Sequence, residues 1–180
     1  MQKKLLIIID YQVDFAAPGG VLSAGEAALA IEGVLEARVA AYLAEGHDVV
    51  FTMDTHLPET WPEHPEHDAF APHCQKGTPG WQVYGSLAKH LGKKGVQTIE
   101  KNAYCPEFLH LENWVSGYEA IEIAGLVTNI CVLHTAVGLY TAKVNSGSAV
   151  RLAVLDEGCA SFDPQAHAFA LRHMHDTLGM

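Results

Sequence analysis

Two periods of hydrophobic and polar positions alternate along this chain. Leu5 to Ile9 is an unbroken apolar run of five residues ending at Asp10, the length of a strand covered on both faces. Glu26 to Glu45 is rich in Ala and Leu at helical spacing and stops at Gly46, a common helix terminator. Asp48 to Met53 predicts a second strand, and residues 54 to 80 replace any period with Pro, His and Gly. A short helix is predicted around Ser86 to Leu91, a strand near Val96 to Glu100 and a helix around Glu107 to Val115. Glu119 to Ala124 first alternates charged and apolar residues and then turns wholly apolar, as a strand entering a core does. After Gly125 the spacing changes: Ile130, Leu133, His134, Val137 and Tyr140 recur at helical intervals, with Thr128 or Asn129 as the expected N-cap. A strand at Val150 to Leu155 and a helix from Asp163 to about Thr177 complete the pattern.

Repeated strand–helix units predict an α/β fold, a three-layer α/β/α sandwich around a mostly parallel central sheet. At 180 residues without a break in composition, one domain spanning 1–180 is expected. Hydrophobic residues make up 49% and charged residues 18%, which fits a packed globule and excludes a disordered chain. The net charge of -10, with no basic run, excludes nucleic acid as a partner. No apolar stretch reaches membrane-spanning length, and the apolar run after Lys4 ends in Asp10 without a small-residue cleavage site. The four cysteines, Cys74, Cys105, Cys131 and Cys159, have no CxxC spacing. They read as free thiols of a reducing compartment, and a cytoplasmic location is the expectation.

In open α/β sheets, ligands bind beyond the carboxyl ends of the strands. Four strand ends here carry reactive groups: Asp10, then Asp54 and His56, then Lys101, then Cys131. Cys131 falls in the first turn of a helix, where unpaired N–H groups favour a thiolate. Beside it, Asp10 can take the thiol proton and later return one to a leaving amine, and Lys101 can hold the carboxylate charged. Cys74, Cys105 and Cys159 lie in loop-like sequence and read as structural thiols. Eleven histidines is a high count, and five of them fall between positions 47 and 73. The loop from Asp54 to His73 adds Glu63, His64, Glu66 and His67. Its mixture of imidazole and carboxylate suits zinc, manganese or iron better than calcium. His47, His90 and His110 read as surface or turn residues, and His134 as a core histidine.

Five ordered segments carry a resemblance over nearly the whole chain. They are Ile9-Asp10-Tyr-Gln-Val-Asp14-Phe15, Thr52-Met-Asp54-Thr-His56, Pro72-His73-Cys-Gln-Lys-Gly-Thr-Pro-Gly80, Lys101-Asn-Ala-Tyr104 and Gly125-Leu-Val-Thr-Asn-Ile-Cys131-Val. Together they resemble the isochorismatase-like cysteine hydrolases. The Asp54, His56 and His73 set resembles the metal-containing nicotinamidase (pyrazinamidase) branch. The resemblance implies a catalytic triad of Asp10, Lys101 and Cys131. It also implies a cis peptide at Leu126-Val127 and an oxyanion hole from the N–H groups of Val127 and Cys131. The implied activity is amide hydrolysis through a cysteine thioester, turning nicotinamide into nicotinate and ammonia for NAD salvage. Another small amide, handled by a related amidase or ureidohydrolase, is the alternative.

The resemblance further implies one divalent ion, zinc before manganese or iron, and no organic cofactor. Its ligands would be Asp54, His56 and His73 with Glu66 as the fourth and His64 in reserve, and it would hold the pyridine nitrogen. Phe15, Phe70 and Tyr104 fall where the family places aromatic walls. A small amide is the implied partner, and a homo-oligomer the implied assembly. Two departures from the family pattern stand out: Asn129 in place of an Asp, and Cys105-Pro-Glu107-Phe108 in place of Ser-Ala-Phe.

Overall fold

The computed structural model describes residues 3–180. Five strands, β1 (Lys4–Ile9), β2 (Asp48–Asp54), β3 (Val96–Lys101), β4 (Ala120–Leu126) and β5 (Arg151–Ala160), form one sheet. The order is β3-β2-β1-β4-β5, and every pair is parallel. The helices are α1 (Val13–Ala16), α2 (Gly25–Ala44), α3 (Phe108–Gly117), α4 (Leu133–Ser146) and α5 (Pro164–Asp176). Parallel neighbours need crossovers, and the helices supply them while covering both faces of the sheet.

The central strand shows how the layers are held. Leu6 and Ile8 point to one face and pack in the cluster that contains Ile31, Leu35 and Val39 of α2. Leu5, Ile7 and Ile9 point to the other, in the cluster of Leu111, Val115, Ala136, Leu139 and Met174 from α3, α4 and α5. All five are fully buried. At about 1.5–3 kcal/mol per buried large aliphatic side chain, this strand alone anchors both cores.

Several expectations need correction. The short helix expected at 86–91 is of the 3-10 kind and spans Gly85–His90. The helix after Gly125 opens with a π-helical turn, Thr128–Val132, flanked by Val127, with no side-chain cap. Thr128 instead shares a 2.8 Å hydrogen bond with His167 Nδ1, and Asn129 Oδ1 accepts one of 2.6 Å from Ser161. In α4 the buried residues are Thr135, Ala136, Leu139 and Ala142, while Val137 and Tyr140 are 41% and 39% exposed. Close approach to α3 selects the small side: a Cβ on Gly138 would stand 2.7 Å from both Cys105 Sγ and Leu111. β5 runs to Ala160, past a register shift opposite Ile123/Gly125. The exposed Asp156 and Glu157 interrupt its apolar pattern, which hid the second half of the strand and the strand position of Cys159. His90 is buried against Glu36 and Lys93, whereas His134 is exposed, with its ring bonded to the Ile130 carbonyl.

Candidate active site

β1, β2, β3 and β4 all end on the same edge of the sheet, and register brings their terminal groups together. Ile9 pairs with Thr52 on one side and Gly125 on the other, and Asp54 pairs with Lys101. Gly125 is required where it stands: its φ is 125°, and a Cβ there would strike the Ile9 carbonyl oxygen. The Leu126-Val127 peptide that follows is cis. Asp10 leaves β1 in the left-handed region, with φ 49°.

Asp10, Lys101 and Cys131 meet in a water-poor site, being 0%, 5% and 7% exposed. Lys101 Nζ lies 2.7 Å from Asp10 Oδ2, 3.4 Å from Asp54 Oδ1 and 3.7 Å from Cys131 Sγ, and it donates to the Ala103 carbonyl at 2.9 Å. The other Asp10 oxygen accepts a 2.6 Å hydrogen bond from Thr52, whose hydroxyl also accepts the Asp10 N–H at 3.2 Å. Thr52 therefore fixes both the backbone and the carboxylate of Asp10, a role that sequence reasoning missed. Burial pushes the Asp10 carboxyl above its ordinary range, although the Lys101 charge opposes it. Burial also raises the Cys131 thiol well above its ordinary value, and the Asp10 charge adds to this against Lys101. Lys101 is held as an ammonium: burial works against the charge, but Asp10, Cys131 and Asp54 outweigh it. Burial thus works against the thiolate that the helix start and the Lys101 charge favour.

The second group lies beside the first. Asp54 Oδ2 is 3.1 Å from His56 Nε2 and 3.2 Å from His73 Nε2, and the ligand atoms of all three residues lie within 4.8 Å of one another. Glu66 is buried, with Oε2 3.9 Å from His73 Nε2. This donor set fits a divalent transition ion. His73 Nδ1 donates to the Ala71 carbonyl at 2.8 Å, which leaves the Nε2 lone pair facing Asp54. His64 has no such lone pair to offer. Its Nε2 is bonded to the Asn102 carbonyl at 2.8 Å, and its Nδ1 accepts the Glu66 N–H at 3.2 Å. Burial resists the charge on Asp54, but Lys101 and the imidazoles of His56 and His73 hold its carboxyl far below the usual range. Glu66 is shifted upward by burial and by the Asp54 charge.

A small, partly enclosed pocket of about 30 Å³ joins the two groups. Asp54, Glu66, His73, Val127 and Cys131 bound it, with Phe15, Phe70, Tyr104, Leu22, Ile130 and Phe162 as walls. Phe15, Phe70 and Tyr104 all line it; Ile130 was missed because it was read only as part of a helical repeat, and Leu22 and Phe162 because single apolar residues in loops carry no period. Trp61 was missed for the same reason; its ring packs 4.8 Å from that of His56 and 5.3 Å from that of His73. A larger, open cleft of about 460 Å³ runs along Thr55, Trp61, His64, Lys76 and Asn102. The smaller space is the one the thiol and the carboxylates face. Cys105 lines the larger cleft rather than the smaller pocket, so the departure after Tyr104 leaves the pocket wall intact. Among the described residues no helix is long and apolar enough to cross a membrane.

The site thus sets a buried Cys, Asp and Lys at the carboxyl edge of an all-parallel α/β sheet. The isochorismatase domain family matches residues 4–180, and the chain belongs to that family. A Bacillus subtilis protein described as the uncharacterized isochorismatase family protein PncA is 37% identical over 98% of this chain and 97% of its own. The crystal structure of nicotinamidase/pyrazinamidase PncA from Bacillus subtilis superposes with a TM-score of 0.87 at 38% identity, covering 98% of this chain and 97% of that one. The pyrazinamidase/nicotinamidase of Streptococcus mutans gives 0.87 at 34% identity, covering 98% of both chains.

Proposed function

We propose that this chain is a metal-dependent nicotinamidase, acting in the cytoplasm in NAD salvage as a homo-oligomer of single-domain subunits. The observation that carries this reading is the single small cavity bounded by both the Cys131 thiol and the Asp54, Glu66 and His73 groups. Its likeness to the nicotinamidases of two bacteria supports the substrate.

In this reading Asp10 accepts the Cys131 proton as the sulfur attacks the carboxamide carbon. Lys101, 3.7 Å from the sulfur, stabilises the thiolate as it forms. The N–H groups of Val127 and Cys131 receive the developing oxyanion, an interaction worth roughly 2.7–4 kcal/mol per donor in other acyl-transfer sites. Asp10 then gives its proton to the departing nitrogen, and ammonia leaves a thioester on Cys131. Water, deprotonated by Asp10, hydrolyses the thioester, releases nicotinate and restores the thiol. Burial, which raises the Asp10 carboxyl, favours the proton it must take up and later return. Phe15, Phe70 and Tyr104 clasp the ring. Asp54, His56, Glu66 and His73 would hold the ion, zinc before manganese or iron, which when bound supplies a Lewis-acid anchor for the pyridine nitrogen.

Ammonia release from nicotinamide by the wild type and by Cys131→Ala tests the proposal. The wild type is expected to turn over while the variant does not. Equal rates would overturn the amidase reading, and equal turnover of aliphatic amides would move the substrate to another small amide.

A further inference from the structure

The segment that follows β1 does more than carry Asp10. Gln12 is fully buried, yet its side chain makes three short hydrogen bonds to backbone. Its Oε1 accepts the Asp54 N–H at 2.8 Å, and its Nε2 donates to the Asp54 carbonyl at 2.9 Å and to the Trp81 carbonyl at 2.8 Å. Both backbone groups of a strand residue face the same neighbour. On that side of Asp54 the neighbour β1 has already ended, since its last pair is Ile9 with Thr52. The Gln12 amide thus replaces the missing strand residue, and both of its N–H donors are used. Trp81 closes the ring by donating from Nε1 to Thr55 Oγ1 at 2.8 Å.

Two residues further on, Asp14 does the same for the other half of the ligand set. Its Oδ2 accepts the N–H of Cys74, directly after His73, at 2.8 Å. Cys74 has φ 42°, so the chain turns sharply there. Gly80 closes over the same carboxylate, and a Cβ at that position would strike it.

We infer that Gln12 and Asp14 are positioning residues that set Asp54 and His73 for the metal ion, and that Gln12 thereby links the ion site to the Asp10–Lys101–Cys131 group. The inference rests on the metal reading proposed above. Asp54 is the shared member, since one oxygen faces the two imidazoles and the other faces Lys101 at 3.4 Å. Gln12 determines where that carboxylate stands.

The experiment is zinc affinity by competition with a chromophoric chelator, read beside the thermal midpoint of each metal-free protein. Gln12→Met keeps the length of the side chain and removes all three hydrogen bonds. It is expected to weaken zinc about 10- to 100-fold, the range seen when groups that orient metal ligands are removed. Asp14→Ala is expected to weaken zinc about tenfold, whereas Asp14→Asn, whose amide oxygen still accepts the Cys74 N–H, should stay within about threefold of wild type. Arg38→Met breaks a remote ion pair to Glu122 (2.6 Å) and serves as the destabilised control, with unchanged zinc affinity. If Gln12→Met binds zinc as wild type does, or loses affinity only as far as Arg38→Met does, the inference is overturned. Should Gln12→Met fail to fold, Gln12→Glu, which keeps the shape but loses both donors, is measured by the same criterion. A wild type that binds zinc no better than Asp54→Asn overturns the metal reading itself, a result separable from a Gln12 variant that matches a zinc-binding wild type.

Discussion

The two halves of this site are held by different devices. Asp10 and Lys101 stand at the ends of β1 and β3, where strand register sets their places to within a residue, and Cys131 stands in the π-helical turn that follows β4. His56, Glu66 and His73 stand in a long irregular connection whose shape is set by side chains reaching into it from Gln12, Asp14 and Trp81. Chemistry placed by a sheet is as stable as the sheet. Chemistry placed by a loop depends on a few clamps, and it can be lost without unfolding the protein.

That difference makes the halves separable. The largest effect is expected from Cys131→Ala, which should lower amide hydrolysis by about ten-thousand-fold or more while leaving zinc affinity unchanged. His73→Ala should do the reverse, lowering zinc affinity on the order of 100-fold while iodoacetamide still alkylates Cys131 at the wild-type rate. Loss of alkylation in that variant would show that the halves are not independent. Lys101→Met attacks the sheet-borne half. Removing the cation from between two buried carboxylates, at 2.7 and 3.4 Å, should cost about 3–5 kcal/mol in denaturant unfolding, as other broken buried pairs do.

A smaller effect concerns pH. Burial pushes the Cys159 thiol, paired beside Gly125 in β5, up to about 12. An unfolded thiol releases its proton near 9, while the folded one retains it. The contribution of Cys159 to stability is therefore whole below pH 9 and is lost as pH rises through that window toward 12, by at most about 1.4 kcal/mol per unit. Denaturant titrations at pH 8, 9.5 and 11 should show a flatter decline for Cys159→Ala than for wild type. Equal slopes would place the alkaline sensitivity elsewhere. The smallest effect is expected at the rim: Phe162 is 49% exposed and walls the cavity on one side only. Phe162→Ala should raise KM a few-fold with kcat unchanged, in the pattern of a uniform binding contact.

Asp10 and Lys101 were legible in the sequence because strand-like segments end at them, and Cys131 because a helical period begins around it. The ligands Asp54 and His56 share that advantage, sitting at or just after the end of β2. Glu66 could be placed only through likeness to a family, and the case against His64 needed the positions of both its ring nitrogens. Gln12, Asp14 and Thr52 were invisible as supports. Their partners are backbone groups roughly 40 to 70 residues away, and no periodic pattern records such a contact. The direction of the Cys131 shift was also hidden, since a helix start is apparent from sequence but the depth of burial above it is not.

β3 is an edge strand, and its last two residues have opposite charge. Glu100 faces outward to Lys76, at 2.5 Å, while Lys101 faces inward. A slip of one residue in the β2–β3 pairing would exchange them, because side chains alternate across a strand. The inner site would then hold Asp10, Asp54 and Glu100 with no cation, three negative charges in a region closed to water. The charge balance of the inner site is therefore tied to the β2–β3 register.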